Sequence, residues 1–402
     1  MKTKLRLSIL SMLIAFAHVS ISAADFEVDD FEYDVISFDE MTCAIVGYNT
    51  NEPVNLVIPE TVVYNGRTFT VTRIDYRAFD KCFLLISVTI PNSVIRIGQY
   101  AFSRCTSLKS INIPNSVIEI SEYAFSGCTS LASITIPNSV TIIGDHAFDG
   151  CSSLTSVTIP GSITSISEYA FRDCLALKSI SIQNGVASIE SYAFCDCDAL
   201  TSVTIPNSVT SIKPNAFCDC DALDIVTIPK SVVMYKHSFY GTYPKYVIVG
   251  STAAFNVLRS TYTVEITLLD DFDEDNNNIL DYDGDSGSSE SLYFQNCWSL
   301  ERIISLTPTP PTMWYSYPFS NQQIMNLEVL VPTSALPLYQ QAEGWKDLWN
   351  LKGGAETATG IENVTVPSKG KKSCIYNING MKVEHTVPGE IYIKDGKKFI
   401  AR

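Results

Sequence analysis

Residues 108–130 read LKSINIPNSVIEISEYAFSGCTS, and close copies of this stretch repeat along much of the chain. The Ala-Phe pair within it can be followed from Phe79 to Phe217 in steps of 23 residues, and the next step, to Phe239, is one residue shorter. Self-similarity with a fixed period of about 20 to 50 residues is the signature of a solenoid. Each copy therefore predicts one turn of a coil that shares its core with the turns before and after it.

The apolar residues of one unit predict two short segments that face the core. Ile111 and Ile113 alternate with polar residues, which is the period of two expected of a half-buried strand. Pro114 ends this strand because proline has no N–H to give to the next strand. Val117 and Ile120 predict a second inward-facing segment on the far side of the coil.

The pattern Leu-x-x-Ile-x-Ile-Pro-x-Ser-Val-x-x-Ile, followed by Ala-Phe-x-x-Cys, resembles the BspA-type leucine-rich repeat of bacterial surface proteins. It runs in register over residues 85–232, and degenerate copies extend it in both directions. The resemblance implies a β-rich leucine-rich-repeat solenoid with short helical turns. It also implies a non-enzymatic bacterial protein that mediates protein–protein interaction or adhesion, including adhesion to host extracellular-matrix proteins or to other cells.

Residues 1–24 have the features of a secretory signal peptide. Basic residues precede an apolar run at residues 7–17, and small residues end the segment, which places cleavage before Asp25. The run is too short to span a bilayer, so we expect a secreted or outer-surface protein without a transmembrane segment. Removing the three positive residues of this segment from a chain of net charge −15 leaves −18, which disfavours nucleic-acid partners.

The rest of the chain divides into five segments by register and composition. Residues 25–84 are expected to form an N-terminal cap and the first degenerate repeats, and residues 85–250 the regular repeats. Residues 251–352 are expected to hold degenerate repeats, an acidic inserted loop at 270–290 and a C-terminal cap. Residues 353–360 predict a linker, and residues 361–402 a small C-terminal β-module.

Within the degenerate repeats, Phe294, Cys297, Leu300 and Ile303 restore the spacing of the array. Residues 329–331 predict a final strand. Residues 339–351 predict a short helix that closes the solenoid, with two tryptophans four positions apart on one face.

The C-terminal module has alternating residues around Asn-Gly and Asp-Gly pairs, which predict hairpins. It resembles the C-terminal sorting domain that some Gram-negative bacteria use to deliver exported proteins to the cell surface. The alternative is a small β-module that only ends the chain.

Cysteines recur in the repeats at intervals of 23 residues, so they occupy one column: Cys82, Cys105, Cys128, Cys151, Cys174, Cys197 and Cys220. Parallel Cβ directions are unsuitable for the disulfide torsion, so we expect a structural ladder of buried thiols. Cys195 and Cys218 form a second column, and a bridge between them is a hypothesis. No histidine lies at ligand spacing from these pairs, which argues against zinc.

The acidic loop supports two interpretations. Carboxylate and amide oxygens at alternate positions resemble a calcium loop, with candidate ligands Asp271, Asp273, Asp275, Asn277 and Asp281. However, Gly284 and Asn278 occupy the positions where a calcium loop needs glutamate and glycine. We therefore favour a solvated loop, and we predict no cofactor other than this calcium alternative.

Two outward columns are candidates for binding. Polar side chains follow the strand of each repeat: Ser87, Ser110, Ser133, Ser156, Ser179 and Ser202, with Thr89, Asn112, Thr135, Thr158, Ser181 and Thr204. A second column precedes the Ala-Phe pairs: Tyr100, Tyr123, His146, Tyr169 and Tyr192. The hydroxyl face can be a simple solvated sheet. The aromatic column either forms a rigid interface or only packs along the coil.

We expect a protein ligand and no catalysis, because the sequence shows no catalytic constellation. A glycan-binding surface, with the tyrosines stacking on sugar rings, is the alternative. A secreted hydrolase would require paired carboxylates in a cleft. The clustering of acidic residues in one Gly- and Ser-containing loop disfavours that class.

Overall fold

The computed structural model describes residues 24–50, 52–235, 237–258, 262–273, 279–280, 294, 297–313 and 318–355, together with four strands between residues 375 and 400. They form a β-solenoid of short strands, which confirms the predicted fold class. The segment predicted as a signal peptide lies outside the described residues apart from Ala24. The chain divides into two compact units, which are described separately below: residues 24–177 with 192–197, and residues 178–191 with the described residues from 198 onward.

One repeat of the first unit has the predicted two-sided form. Its first strand covers Ser110–Asn112 and stops before Pro114, and its second covers Glu119–Ile120. Ile120 is fully buried and pairs in parallel register with the equivalent isoleucines, Ile97 and Ile143. Burial of each such side chain contributes on the order of 1.5–3 kcal/mol, and neighbouring turns provide the surface that buries it.

The turn that carries the Ala-Phe pair satisfies its backbone groups in two directions. Within the repeat, Ser126 N donates to Tyr123 O at 3.1 Å, and Cys128 N donates to Phe125 O at 3.1 Å. Such i to i−3 bonds are those of tight β-turns. The intervening amides point to the next repeat, as when Phe125 N donates to Ala147 O at 2.8 Å. The turns are therefore bonded to one another as well as packed.

The strands of the first unit are β1 (Phe26–Val28), β2 (Phe31–Ser37), β3 (Thr42–Tyr48), β4 (Val54–Val57), β5 (Thr61–Tyr64), β6 (Arg67–Ile74), β7 (Leu85–Thr89), β8 (Arg96–Ile97), β9 (Ser110–Asn112), β10 (Glu119–Ile120), β11 (Ile142–Ile143), β12 (Ser156–Ile159) and β13 (Ser165–Ile166). One sheet has the order β1-β2-β3-β6-β8-β10-β11, with β5 beside β6, and another has the order β4-β7-β9. The first strands pair antiparallel, and parallel pairing begins where β3 meets β6.

The strands of the second unit are β14 (Ser179–Ile182), β15 (Ser188–Ile189), β16 (Ser202–Thr204), β17 (Ser211–Ile212), β18 (Ile225–Ile228), β19 (Val233–Tyr235), β20 (Tyr246–Ser251), β21 (Glu265–Asp273), β22 (Ile279–Leu280), β23 (Arg302–Ser305), β24 (Glu328–Val331) and β25 (Asn350–Gly353). Between these strands along the chain lie the helices α1 (Thr252–Leu258), α2 (Asn321–Asn326) and α3 (Leu336–Tyr339). Two parallel series have the orders β14-β16-β18-β20-β21-β23-β24-β25 and β15-β17-β19-β22.

The C-terminal module has four strands, β26 (Ile375–Asn377), β27 (Lys382–Val383), β28 (Ile391–Lys394) and β29 (Lys397–Ile400). They pair antiparallel in the order β27-β26-β28-β29. Lys394 pairs with Lys397 in the register of the last two strands. The Asp-Gly pair predicted to form the turn between them lies outside the described residues.

Two expectations for the region before the linker are wrong. The strand predicted at residues 329–331 exists as β24 but is not the last of the series, because β25 pairs with it. The predicted helix at residues 339–351 is also absent: α3 ends at Tyr339, and Gly344 has a φ of +81°, which a helix cannot contain. Trp345 is consequently buried while Trp349 is 73% exposed, so the two do not share a face.

The restored register is confirmed. Phe294, Cys297 and Ile303 are fully buried, and Leu300 is 6% exposed. Among the described residues, no helix has both the length and the apolar character needed to cross a membrane.

Candidate binding surface

The core of the first unit places its surface residues at a fixed repeat distance. Phenylalanine rings of successive turns stack nearly parallel, with centroids 4.8–5.4 Å apart, at Phe79, Phe102, Phe125, Phe148, Phe171 and Phe194. Each ring is fully buried. A side chain two positions before each phenylalanine is therefore held at the same spacing on every turn.

That position is the aromatic column, which we define as Tyr100, Tyr123, His146, Tyr169 and Tyr192. All five residues have φ between 55° and 60°, in the left-handed region. A side chain there costs free energy, most for bulky residues, and turn positions of this kind usually hold glycine or asparagine. Asn215 of the second unit occupies the equivalent position with a φ of 59°.

The five rings form one continuous stack. Successive centroids are 4.6, 4.4, 4.4 and 4.8 Å apart, and successive ring planes differ by 4–7°. The sequence left open whether these residues pack along the coil, and in the structure they do. The residues are half-buried rather than fully exposed, because each ring covers the faces of its neighbours. Burial is the main cause that raises the pKa of Tyr123 above its ordinary value.

Arginines contact the stack at two places. The Arg77 guanidinium lies 5.1 Å from the ring centroids of Tyr76 and Tyr100. The Arg172 guanidinium lies 5.0 Å from the Tyr169 ring centroid. Cation–π contacts at partly exposed sites contribute about 0.5–1 kcal/mol each. The column is thus fixed by groups on the surface as well as by the core.

Asp149 joins the column to Arg172. Its carboxylate accepts two hydrogen bonds from the Arg172 guanidinium, both 2.9 Å, and lies 3.1 Å from His146 Nδ1. Asp149 is only 8% exposed, so it is a buried acid that is held by a bidentate partner. Burial opposes the charge of Arg172, but the bonds to Asp149 outweigh this effect and raise its pKa.

The sequence interpretation missed this pair, although a signal was present. Asp149 and Arg172 are 23 residues apart, so they occupy one column on adjacent turns. Opposite charges at the repeat distance predict an ion pair as directly as charges four positions apart do on a helix.

The Ser/Thr face lies outward on the strands, as its alternation indicated. In the first unit its side chains are exposed at Ser110, Asn112, Ser133, Thr135, Ser156 and Thr158. In the second unit the same face is half-buried at Ser179, Ser181, Ser202 and Thr204. This face is therefore more exposed in the first unit than in the second, although Ser87 of the first unit is also half-buried.

The serine of each Pro-x-Ser-Val segment has a structural role. Ser116 Oγ donates to Val94 O of the preceding turn at 2.7 Å, and Ser139 Oγ donates to Val117 O at 2.7 Å. Hydroxyl donation across turns pairs a carbonyl that the short strands leave unbonded. These serines belong to the scaffold and not to the binding surface.

Charged side chains replace hydroxyls on the outward face of the last strands. Arg302 contacts Glu265 at 3.2 Å and Glu328 at 2.8 Å, and Lys352 lies 3.7 Å from Glu328. The hydrogen bond from Arg302 is the main cause that lowers the pKa of Glu328. These exposed pairs contribute little to stability, about 0–1 kcal/mol each.

Cysteine thiols form a hydrogen-bonded ladder inside the first unit. Each thiol donates to the carbonyl of a phenylalanine 26 residues earlier, at 3.1–3.5 Å, for Cys105, Cys128, Cys151, Cys174 and Cys197. Cys220, in the second unit, is buried as well, and Cys82 is half-buried. In the second unit Thr242 replaces the thiol, since its Oγ1 donates to Phe217 O at 2.8 Å.

Nine described cysteines are in the thiol form: Cys43, Cys82, Cys105, Cys128, Cys151, Cys174, Cys197, Cys220 and Cys297. Cys195 and Cys218 are in the disulfide form, which is the state that the hypothesis of a bridge requires. Their pairing with each other stays a prediction, and mass spectrometry of unreduced peptides would test it.

We expect Cys151 to resist alkylation in the native protein. Burial raises its pKa from 9.0 to about 12, which lowers the reactive thiolate about a thousandfold at a given pH, and its Sγ is inaccessible. Peptide mass spectrometry after N-ethylmaleimide treatment, with and without urea, measures this. Burial also raises the pKa of Cys82 to about 12, but its side chain is only half-buried, so it is the internal comparison for access. Labelling of Cys151 as fast as Cys82 in the native state would contradict the ladder.

The calcium candidates are not brought together by the described residues. Asp271 and Asp273 lie in the last part of β21, and only their backbone is described. Asp275, Asn277 and Asp281 lie outside the described residues. The calcium alternative therefore stays a prediction.

The family model for the BspA-type leucine-rich repeat region matches six copies of the repeat, over residues 72–198 and 141–255. Residues 72–255 are a BspA-type leucine-rich repeat region. This family assignment covers the aromatic column, the thiol ladder and the accessible Ser/Thr face. No curated protein matches the chain.

Three solved structures are similar to this chain. A leucine-rich repeat protein from Bacteroides ovatus is 24% identical, over 82% of this chain and 90% of that one, with a TM-score of 0.55. A leucine-rich repeat protein from T. pallidum is 29% identical over 55% of this chain and 84% of that one, with a TM-score of 0.37. A leucine-rich cell surface protein from Faecalibacterium prausnitzii is 21% identical over 83% and 95%, with a TM-score of 0.40. The Bacteroides ovatus structure supports the solenoid fold described above.

Proposed function

We propose that this protein is a non-enzymatic protein of the bacterial surface or secretome whose repeat array binds a protein ligand. Adhesion, to host extracellular matrix or to another cell, is the process that such binding would serve. The observation that carries the proposal is the continuous aromatic column, whose rings are fixed before any ligand arrives. A preformed surface loses little conformational entropy on binding, and tyrosine edges offer both apolar area and a hydroxyl.

Export and surface delivery are part of the same proposal. Residues 1–24 have the pattern of a secretory signal, and the small antiparallel module at residues 361–402 resembles a sorting domain. The BspA-type repeats are consistent with this destination. A tagged chain that stays in the cytoplasm when expressed in a Gram-negative host with the matching export system would contradict it.

The glycan alternative is not supported at the aromatic column. A sugar ring stacks on the face of an aromatic side chain, whereas the faces of Tyr123, His146 and Tyr169 are covered by their neighbours at 4.4–4.8 Å. At these three positions a ligand can reach only the ring edges and the hydroxyls of the two tyrosines. These groups suit the hydrogen bonds and close packing of a protein interface.

The proposal is tested with the mature chain, residues 25–402, and immobilised fibronectin and fibrinogen in a surface plasmon resonance assay. We expect saturable binding that weakens about tenfold or more when Tyr123 and Tyr169 are both changed to Asn. Asparagine tolerates the left-handed backbone, so the turn survives while the contact edge is removed. The matched control changes Ser133 and Thr135 of the Ser/Thr face to Ala.

A third variant separates contact from folding. Changing Tyr123 to His keeps a planar ring in the stack, as His146 does naturally, and we expect it to retain more binding than the Asn change. Binding that survives both Asn substitutions would move the ligand site off the column. Absence of binding by the wild-type chain to either protein would contradict adhesion to these matrix components.

A further inference from the structure

A cavity of about 880 Å³ lies in the second unit, between the turn that precedes β23 and helix α2. Its walls come from residues 298–301 on one side and from residues 320–323, Asn326 and Leu327 on the other. This volume is within the range of about 300–1,000 Å³ that is typical of small-molecule sites. The cavity shares no residue with the aromatic column and has no part in the function proposed above.

The cavity wall contains a tryptophan whose exposure to solvent is not explained by packing within the protein. Trp298 is 81% exposed, although it is the largest apolar side chain of its turn. The preceding Cys297 and following Leu300 are buried, so the turn is firmly attached while its indole faces water. Tryptophan offers a wide, rigid apolar face together with an N–H donor, which favours contact with amphipathic ligands.

The two walls are held together beneath the surface. Gln323 Nε2 donates to Phe294 O and to Cys297 O, both at 3.0 Å, which ties α2 to the Trp298 turn. Gln323 also forms a capping box with Ser320: Ser320 N donates to Gln323 Oε1 at 2.9 Å, and Gln323 N donates to Ser320 Oγ at 3.3 Å. A buried amide thus fixes the spacing between the two walls.

Aromatic packing supports this arrangement from behind. Phe294 stacks on Phe319 with centroids 5.0 Å apart, and the edge of buried Trp345 contacts both rings. Trp345 Nε1 donates to Pro311 O at 2.8 Å. The cavity is therefore preformed, which lowers the entropy that a ligand must overcome.

The rest of the cavity wall is polar. The side chains of Ser299, Glu301, Asn321, Gln322 and Asn326 are exposed, and none of them bonds to another side chain of the described residues. Three amides supply donors and acceptors in equal number, and the carboxylate of Glu301 is a strong acceptor. Hydroxyl groups, which both donate and accept, satisfy such a set.

The charge of the wall excludes other ligand classes. Among the described residues that line the cavity, none is lysine, arginine or histidine, whereas Glu301 is acidic. A phosphate, sulfate or uronate group would find no cation and would be repelled by this carboxylate. A wholly apolar ligand would leave the amides and carboxylate without partners, which is costly.

We propose that this cavity binds a neutral oligosaccharide, with a sugar ring packed on the face of Trp298 and its hydroxyls bonded to the amides of Asn321, Gln322 and Asn326. The C–H face of a hexose is apolar and suits the exposed indole. Its hydroxyl groups lie around the rim of the ring and suit the neighbouring amides. Glu301 accepts from a sugar hydroxyl. The protein then has two recognition surfaces, one for a protein and one for a glycan.

The test uses the mature chain and four neutral hexasaccharides, cellohexaose, xylohexaose, maltohexaose and mannohexaose, at up to roughly 5 mM in isothermal titration calorimetry. We expect at least one to bind and to change tryptophan emission. Trp298→Ala is expected to weaken that binding about tenfold or more, and Trp298→Phe less. The matched control is Trp349→Ala, since Trp349 is 73% exposed in the same unit and does not line the cavity.

A double change of Asn321 and Gln322 to Ala tests the polar wall and is expected to weaken binding while Trp298 emission still responds at high saccharide. Hyaluronan hexasaccharide is the acidic comparison, and we expect it not to bind. Absence of binding by all four neutral probes, or binding that Trp349→Ala reduces as much as Trp298→Ala does, overturns the proposal. Fibronectin and fibrinogen binding should be unchanged in Trp298→Ala, so failure of either proposal can be recognised by itself.

Discussion

Changing Phe148 to alanine should lower the free energy of unfolding by about 3–5 kcal/mol. Its ring is fully buried and stacked between Phe125 and Phe171, with centroids 5.3 and 5.1 Å away. Alanine leaves a cavity in the middle of a continuous stack, and the neighbours cannot collapse into it because their backbones are bonded turn to turn. Urea unfolding followed by circular dichroism measures the effect as a lower transition midpoint.

Phe83→Ala is the matched control for this substitution. Phe83 is 52% exposed and lies outside the stack, so we expect a loss of less than about 1 kcal/mol. In a solenoid a local defect can also unfold one part of the chain first, which would broaden the transition. A Phe148→Ala midpoint equal to that of Phe83→Ala would mean that the stack does not stabilise the turns.

Changing Asp149 to alanine should cost about 2–3 kcal/mol, although its side chain is small. The substitution removes both acceptors of the Arg172 guanidinium and the partner of His146 Nδ1. Arg172 is half-exposed and can turn partly to water, which keeps the cost below that of a fully buried orphan charge. His146 also loses the contact that orients its ring between Tyr123 and Tyr169.

Asp173→Ala provides the comparison, because Asp173 contacts the same guanidinium at 3.2 Å but its side chain is 46% exposed. We expect a loss of less than about 1 kcal/mol for this surface pair. Thermal unfolding of both variants at low and at high salt distinguishes the pairs, since salt screens the exposed contact more. Equal losses in the two variants would contradict the special position of Asp149.

The fold could be predicted from the sequence because each feature of the repeat occurs in several copies. Ile111, Pro114 and Ile120 each recur with one chemical explanation, and an error in one copy is corrected by the others. In the degenerate repeats of residues 251–352, no close copy is available to correct an error in this way. There Cys297 was placed by its spacing, but the four-residue interval between Trp345 and Trp349 indicated a helix that Gly344 does not permit.

The two candidate sites were harder to predict from the sequence than the fold, and the physical reason differs between them. The aromatic column was visible as a column, but the stacking of its rings depends on a left-handed backbone that residue type does not predict for tyrosine. The cavity beside Trp298 joins two segments about twenty residues apart, through a hydrogen bond from Gln323. Nothing in either segment alone indicates that they meet.

The 23-residue period of the contacts between adjacent turns has a consequence for how such a chain can change over generations. Tyr123 and Phe125 stack on their equivalents one turn away, and the Cys128 thiol donates to Phe102 O of the preceding turn. Excising residues 123–145 would join Glu122 to His146 and leave each column one member shorter but in register. Duplication of the same segment would lengthen each column by one member. Recombination between near-identical repeats can therefore adjust the reach of the molecule without inventing a new core.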